Sequence, residues 1–213
     1  YMFSREALEK AMGDLELVDF GRHVIPKAIG EMRVQAHFHR GYWEDVGTIG
    51  SYFEANLQLC DSMPPFDFYD ASRRIYTHPR LLPASKVEAC TLRRVLLSEG
   101  CILMGAEIER SVVGIRSRIG AGTRIKDSLV LGADDYESLE EIDRAHAKGK
   151  PPVGIGGDSV IERAIVDKNS RVGRGVRLVN EAGVQEMDGE GYHIRDGIVI
   201  VPKSGVIPDG TVV

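Results

Sequence analysis

An aliphatic residue recurs every six positions through the second half of the sequence, and this spacing restricts the fold more than any other feature. Each six-residue unit can form one short strand and one tight turn, with the aliphatic side chain inward and small residues or glycine at the corner. Three such strands make a coil of about 18 residues, and stacked coils bury a shared core. The pattern predicts a mostly β fold, a left-handed parallel β-helix. The series is Ile102, Ile108, Ile119, Ile125, Leu131, Val160, Val166, Val172, Leu178, Ile207 and Val213, with a one-residue slip near Gly114.

The first 60 residues follow a mixed helix and strand pattern instead. We expect a helix over residues 5–12 with Ser4 as its N-cap, and a short helix after Asp19. We expect a strand over residues 34–39, where apolar and polar residues alternate, and a helix after Thr48. Because the chain begins abruptly on an apolar segment, we interpret residues 1–60 as the C-terminal tail of an α/β domain in a longer protein.

The remaining boundaries follow from changes in composition. Residues 61–85 are rich in proline, which favours extended backbone at the preceding residue, and we expect an ordered linker whose aromatic side chains pack. The β-helix is predicted over residues 86–213. Two stretches without the six-residue period, at about 133–157 and 180–194, are predicted to protrude as excursions.

Charge and composition exclude several classes of partner. The formal net charge is −5, which provides no electrostatic footprint for nucleic acid. No apolar run approaches the roughly 18 residues that span a membrane, so we expect no membrane partner. The three cysteines lack metal-ligand spacing, which favours a reduced compartment.

Residues 42–48 form the most informative local motif. Glu44 and Asp45 lie just before the predicted N-cap Thr48. Carboxylate oxygens at such a position can hold a hard divalent cation. They can equally stabilise the positive end of the helix dipole without any metal. Physical reasoning alone leaves both interpretations open.

The motifs taken together resemble one family of enzymes. A Trp-Glu-Asp-Val-Gly-Thr segment, a helix, a proline-rich linker and a hexapeptide β-helix are similar to nucleotidyltransferases that make sugar nucleotides. The likeness is best to glucose-1-phosphate adenylyltransferase, that is ADP-glucose pyrophosphorylase, of the plant, algal and cyanobacterial type. The segments that carry the resemblance are residues 42–48, 53–57, 68–70, 132–134, 152–156, 181–186 and 192–198.

The resemblance implies a reaction and a set of ligands. ATP and glucose 1-phosphate would give ADP-glucose and pyrophosphate with Mg²⁺, for which Asp45 is the implied metal ligand. Lys168 and Lys203 match lysines that bind the activator 3-phosphoglycerate and the inhibitor phosphate, although each alone is typical of a solvated surface lysine. The family's glycine-rich nucleotide loop and sugar-phosphate lysine are not in this sequence. The chain therefore carries at most one catalytic residue of the family set.

The resemblance also implies a homo- or hetero-tetramer, in the plastid stroma for a plant or alga and in the cytoplasm for a bacterium. One alternative is a regulatory subunit with little activity, because residues 78–83 resemble the large, more regulatory type. A second alternative is a hexapeptide acyltransferase, which would need a histidine between coils as general base. Only His146 lies within residues 86–178, and it falls in the first excursion.

Overall fold

The computed structural model describes all 213 residues and divides into two compact units, Tyr1–Gly41 and Tyr42–Val213. The first unit contains helix α1 (Arg5–Met12), a single π-helical turn (Phe20–Val24) and helix α2 (Ile25–Glu31). The side chains of Ser4 and Asp19 accept hydrogen bonds from backbone N–H groups at the starts of α1 and the π turn. Both predicted helical segments are confirmed, and a domain boundary near residue 60 stays a prediction.

The strand predicted over residues 34–39 is wrong. Residues 33–40 have neither helix nor strand, and no strand of the chain pairs with them. Alternation of apolar and polar side chains describes one face of a possible strand, but a strand exists only where its backbone N–H and C=O groups find a partner.

The second unit is mostly β. Helix α3 (Ile49–Gln58) comes first, with the predicted Thr48 cap confirmed, and helix α4 (Leu139–Ala147) lies between two strands. Residues 61–85 have no helix or strand. Phe66 and Phe68 pack edge to face, with ring centroids 5.4 Å apart, but Tyr69 and Tyr76 are exposed, so the predicted packing of the aromatic side chains is wrong for these two residues. The strands are β1 (Lys86–Glu88), β2 (Thr91–Leu97), β3 (Ile102–Met104), β4 (Glu107–Val113), β5 (Arg118–Ile119), β6 (Arg124–Lys126), β7 (Leu129–Val130), β8 (Gly154–Ile155), β9 (Val160–Glu162), β10 (Ala164–Val166), β11 (Arg171–Val172), β12 (Arg177–Leu178), β13 (Met187–Gly189), β14 (Tyr192–Arg195), β15 (Ile198–Val201) and β16 (Val206–Ile207).

These strands form three parallel faces around one core. The first face has the order β1-β3-β5-β8-β11-β16. Strands β2 and β4 each bend in the middle, at Arg94 and Arg110, whose φ angles are +52° and +42°. Their first halves join β6, β9 and β12 in the second face, and their second halves join β7, β10 and β15 in the third. An antiparallel hairpin, β13–β14, extends the third face beyond β15.

At three places, the residue that points into the core is one position away from the residue that the sequence pattern predicted. Each error falls where two aliphatic residues are adjacent, so the spacing alone could not choose between them. Leu103 pairs with Ile119 and Ile155 pairs with Val172, so a coil takes 16 or 17 residues and not about 18. The buried residue is Leu103 rather than Ile102, Val130 rather than Leu131, and Ile161 rather than Val160.

Small polar residues fill the corners of the coil. The buried side chains of Ser111, Ser128 and Ser159 accept hydrogen bonds from backbone N–H groups one coil further on, for example from Ser128 N to Ser111 Oγ over 3.1 Å. No buried side-chain polar atom lacks a partner, as a close-packed core requires.

Helix α3 covers the outer surface of the third face. Phe53 and Leu57 are fully buried against Leu129, Ile165 and Ile198. The apolar period that identified this helix therefore also anchors it to the β-helix. None of the helices is long and apolar enough to cross a membrane.

Candidate functional site

The two lysines singled out in the sequence lie on stacked turns at the corner between the third and first faces. Lys168 follows β10 and Lys203 follows β15, which are neighbours in the third face. The backbone N–H of Ser204 donates to the carbonyl oxygen of Lys168 over 2.9 Å, and the Ser170 hydroxyl donates to the carbonyl oxygen of Pro202 over 3.1 Å. Successive coils thus bring together two residues that are far apart in sequence.

Asp134 joins the two lysines into one cluster. Its Oδ1 lies 3.0 Å from Lys168 Nζ, and its Oδ2 lies 3.2 Å from Lys203 Nζ. Asn169 completes the group, because its Nδ2 donates to Asp134 Oδ2 over 2.9 Å while its Oδ1 accepts from the Asp134 backbone N–H over 2.8 Å. We call these four residues the lysine–aspartate cluster.

The cluster is only partly exposed and carries a net positive charge. The side chains of Lys168, Asp134 and Lys203 keep 35, 40 and 59% of their accessible surface. Hydrogen bonds from Lys168, Asn169 and Lys203 hold the pKa of Asp134 well below the usual carboxyl range, so this side chain is ionised at neutral pH. Two ammonium groups against one carboxylate leave one positive charge for an anion to neutralise.

The segment around Asp134 is fastened to the coil by other contacts. The Ala133 backbone N–H donates to the carbonyl oxygen of Ile115 over 2.9 Å, and the Arg116 guanidinium lies 5.7 Å from the centre of the Tyr136 ring. The Tyr136 hydroxyl donates to the carbonyl oxygen of Gly100 over 2.8 Å. The segment around Asp134 is therefore held by contacts outside the cluster, whereas the Asp134 carboxylate is held only by the side chains of the cluster.

Asp45 lies apart from this cluster, in the irregular segment before α3. It is exposed, and no group of three or more His, Cys, Asp or Glu side chains in the chain is arranged to hold a metal ion. A single carboxylate is the kind of oxygen donor that Mg²⁺ accepts, but the ion prefers octahedral coordination. Asp45 can therefore supply one ligand of such an ion.

The residues on either side of Asp45 line a cleft of about 380 Å³, but Asp45 itself is not one of its lining residues. Trp43, Val46, Asn56 and Phe66 are among its lining residues. The helix that follows is well anchored, because Thr48 and Ser51 cap each other reciprocally and the Gly50 backbone N–H donates to Asp196 Oδ2 over 3.0 Å. The segment that carries Asp45 is thus attached to a rigid helix N-terminus.

Sequence reasoning found both lysines but missed Asp134 and Asn169 as parts of the same cluster. The only signal was indirect, since residues 132–134 are one of the segments that carry the family resemblance. His146 lies on α4, outside the coils, which does not favour a role as a general base between coils.

Comparison with known proteins gives the family context. The profile of the GLGC left-handed parallel beta-helix domain matches residues 80–212, and the Nucleotidyl transferase profile matches residues 1–62. The first match confirms the predicted left-handed parallel β-helix. The chain is 43% identical over 217 residues to the glucose-1-phosphate adenylyltransferase large subunit 1, chloroplastic/amyloplastic, of Zea mays. The alignment covers 100% of this chain and 42% of that relative, so the chain spans less than half of its length.

Proposed function

Because this chain belongs to the glucose-1-phosphate adenylyltransferase family, we propose that it forms part of a subunit of ADP-glucose pyrophosphorylase. The complete enzyme would make ADP-glucose and pyrophosphate from ATP and glucose 1-phosphate, for starch or glycogen synthesis. In this proposal the β-helix regulates and assembles the subunit, and most of the chemistry takes place in the part of the family's catalytic domain that lies outside this chain. The relative's printed name supports a plastid location.

The observation that carries the regulatory role is the pairing of Lys168 and Lys203 in one cluster. Two ammonium groups that reach the same carboxylate can also reach two oxygens of one phosphate group, since charge-assisted hydrogen bonds to oxyanions have the same length and direction. We therefore assign the binding of 3-phosphoglycerate and phosphate to this corner of the β-helix.

The test is the substitution Lys203→Ala in the complete tetrameric enzyme. Loss of a charge-assisted hydrogen bond corresponds to about 1.5–3 kcal/mol, so the 3-phosphoglycerate concentration for half-maximal activation should rise at least about 10-fold. The matched control is Lys86→Ala, which removes a lysine from β1 outside the cluster. An activation curve that is the same in both variants would remove Lys203 from the effector site.

For catalysis, we propose that Asp45 is one of the ligands of Mg²⁺ in the complete subunit. Its exposed carboxylate precedes a fixed helix N-terminus, which supports a defined position relative to substrate. When bound, the ion would neutralise charge on the phosphate groups of ATP, and the role of Asp45 is to hold and orient it.

The second candidate function is a regulatory subunit with little activity of its own. Two observations favour it: the relative with 43% identity is a large subunit, and residues 78–83 resemble the large type. Expression of the complete subunit without a small-type partner separates the two candidates. A catalytic subunit would form ADP-glucose alone, whereas a regulatory one would only alter the effector response of its partner.

A further inference from the structure

We propose that Asp134 is a built-in competitor of the effector anion, which occupies the lysine pair when no effector is bound and thereby sets the affinity of the site. The inference rests on the proposed effector role of Lys168 and Lys203. It adds a residue of opposite charge to that site and specifies how the site discriminates between anions.

The first step is geometric. Asp134 uses both carboxylate oxygens, Oδ1 towards Lys168 and Oδ2 towards Lys203, at 3.0 and 3.2 Å. A phosphate group that bridged the two lysines would place two of its oxygens at the same donors. The carboxylate of the chain and the phosphate of a ligand therefore require the same hydrogen bonds.

The second step concerns what can move. The backbone of Asp134 is held by Asn169, whose Oδ1 accepts its N–H over 2.8 Å, and Ala133 is held by the carbonyl oxygen of Ile115. The carboxylate is bound only by side chains, those of Lys168, Lys203 and Asn169. An incoming anion must therefore either share the ammonium groups beside a like charge or turn the carboxylate away from them.

The third step is electrostatic. A singly charged anion that displaces the Asp134 carboxylate from the two lysines replaces one negative charge by another. It therefore gains little binding free energy. A phosphoryl dianion, or a molecule with both phosphate and carboxylate groups, provides more charge than it displaces. Asp134 therefore favours multiply charged phosphate compounds over chloride or simple carboxylates.

The experiment is a titration of the 213-residue chain with inorganic phosphate at constant ionic strength, followed by NMR at the backbone amides of Lys168 and Ser204. Asp134→Asn removes the charge and keeps the size of the side chain. Because a like charge within a few ångströms of the ligand is worth about 1–2 kcal/mol near a protein surface, the dissociation constant should fall about 10-fold. Asp134→Glu keeps the charge and should remain within about 2-fold of the unsubstituted chain.

The matched control is Asp135→Asn, which changes the net charge equally at an exposed neighbour without a lysine contact. Its dissociation constant should equal that of the unsubstituted chain. Lys203→Ala in the Asp134→Asn background should remove the gained affinity.

The possible results separate this inference from the proposed function. If Lys203→Ala weakens phosphate binding but Asp134→Asn weakens it or leaves it unchanged, Asp134 only positions the lysines and the competitor role is overturned. If neither the unsubstituted chain nor Asp134→Asn binds phosphate at this corner, the effector site itself is overturned, and the competitor with it. Equal tightening by Asp134→Asn and Asp135→Asn would also overturn the inference, because it would reflect net charge alone.

Discussion

At the scale of single residues, the sequence predicted the two lysines of the candidate site but not the aspartate that pairs with them. Lys168 and Lys203 were identifiable because they match family positions, yet Asp134 lies 34 residues before Lys168 and enters the cluster only when coils stack. Ion pairs between coils depend on which turns become neighbours, and a one-residue slip in any coil would separate them. Pairing of this kind cannot be deduced from a local pattern.

Asp45 gives a prediction at the same scale. Asp45→Asn in the complete enzyme replaces a carboxylate that can hold Mg²⁺ by a neutral amide, which is a much weaker ligand for a hard cation. Turnover should fall by about 100-fold, and the Mg²⁺ concentration for half-maximal rate should rise.

Glu44→Gln is the control for this substitution, because it removes the adjacent negative charge and leaves Asp45 in place. Its Mg²⁺ dependence should be close to that of the original enzyme. Identical Mg²⁺ titrations for the two variants would mean that the acidic pair serves only the helix dipole.

At the scale of elements, periodicity predicted the strands of the β-helix but not their phase at every position. Ile102 and Leu103 are both aliphatic, and the choice between them depends on how many residues each corner takes. Leu131, which the sequence pattern placed inside, packs in the outer cluster beneath α3. A face that is covered on both sides shows no alternation, so its inward and outward residues cannot be distinguished from sequence alone.

Helix α3 supplies the prediction for this scale. Phe53 is fully buried between the helix and the third face, and the Arg163 guanidinium lies 5.5 Å from the centre of its ring. Phe53→Ala removes this packing and leaves a cavity, so the free energy of unfolding should decrease by about 3–5 kcal/mol.

Urea unfolding followed by far-UV circular dichroism would measure the change. Gln58→Ala, at the last residue of the same helix, is the comparison and should alter the free energy of unfolding by less than about 0.5 kcal/mol. A similar small effect for Phe53→Ala would mean that α3 does not need this anchor.

At the scale of the whole molecule, the predicted division into a tail, a linker and a β-helix depended on changes in the sequence pattern. The structure also identifies the segments that lack secondary structure. Residues 33–47 and 61–85 have neither helix nor strand. The coils, in contrast, share one continuous buried cluster from Cys101 to Ile207. Resistance to unfolding should therefore differ strongly along the chain.

Limited trypsin digestion tests this difference. Arg33, Arg40, Arg73 and Arg74 lie in the irregular segments and are exposed, so cleavage should occur there first. Lysines and arginines within the coils, such as Arg124, should be cut much more slowly because their backbone is hydrogen-bonded to neighbouring coils. Mass spectrometry should detect a lasting fragment that ends at Val213 and begins between residues 75 and 81, because Arg80 in the same irregular segment is also exposed. Early cleavage at Arg124 would contradict a uniformly stable β-helix.

The two stretches that were predicted to protrude, at about 133–157 and 180–194, have a consequence for how such a protein can change during evolution. Ile119 pairs with Ile155 across the first excursion, and Val172 pairs with Ile207 across the second, so each time the chain returns in register. The register between neighbouring coils is therefore kept whatever the length of the segment inserted at a corner. Insertions and deletions in the first stretch can create or remove a surface feature, such as the segment around Asp134, while the main core cluster remains unaltered; Ile194 of the second stretch, in contrast, is buried in that cluster. Selection can then act on regulation and on folding as separable traits.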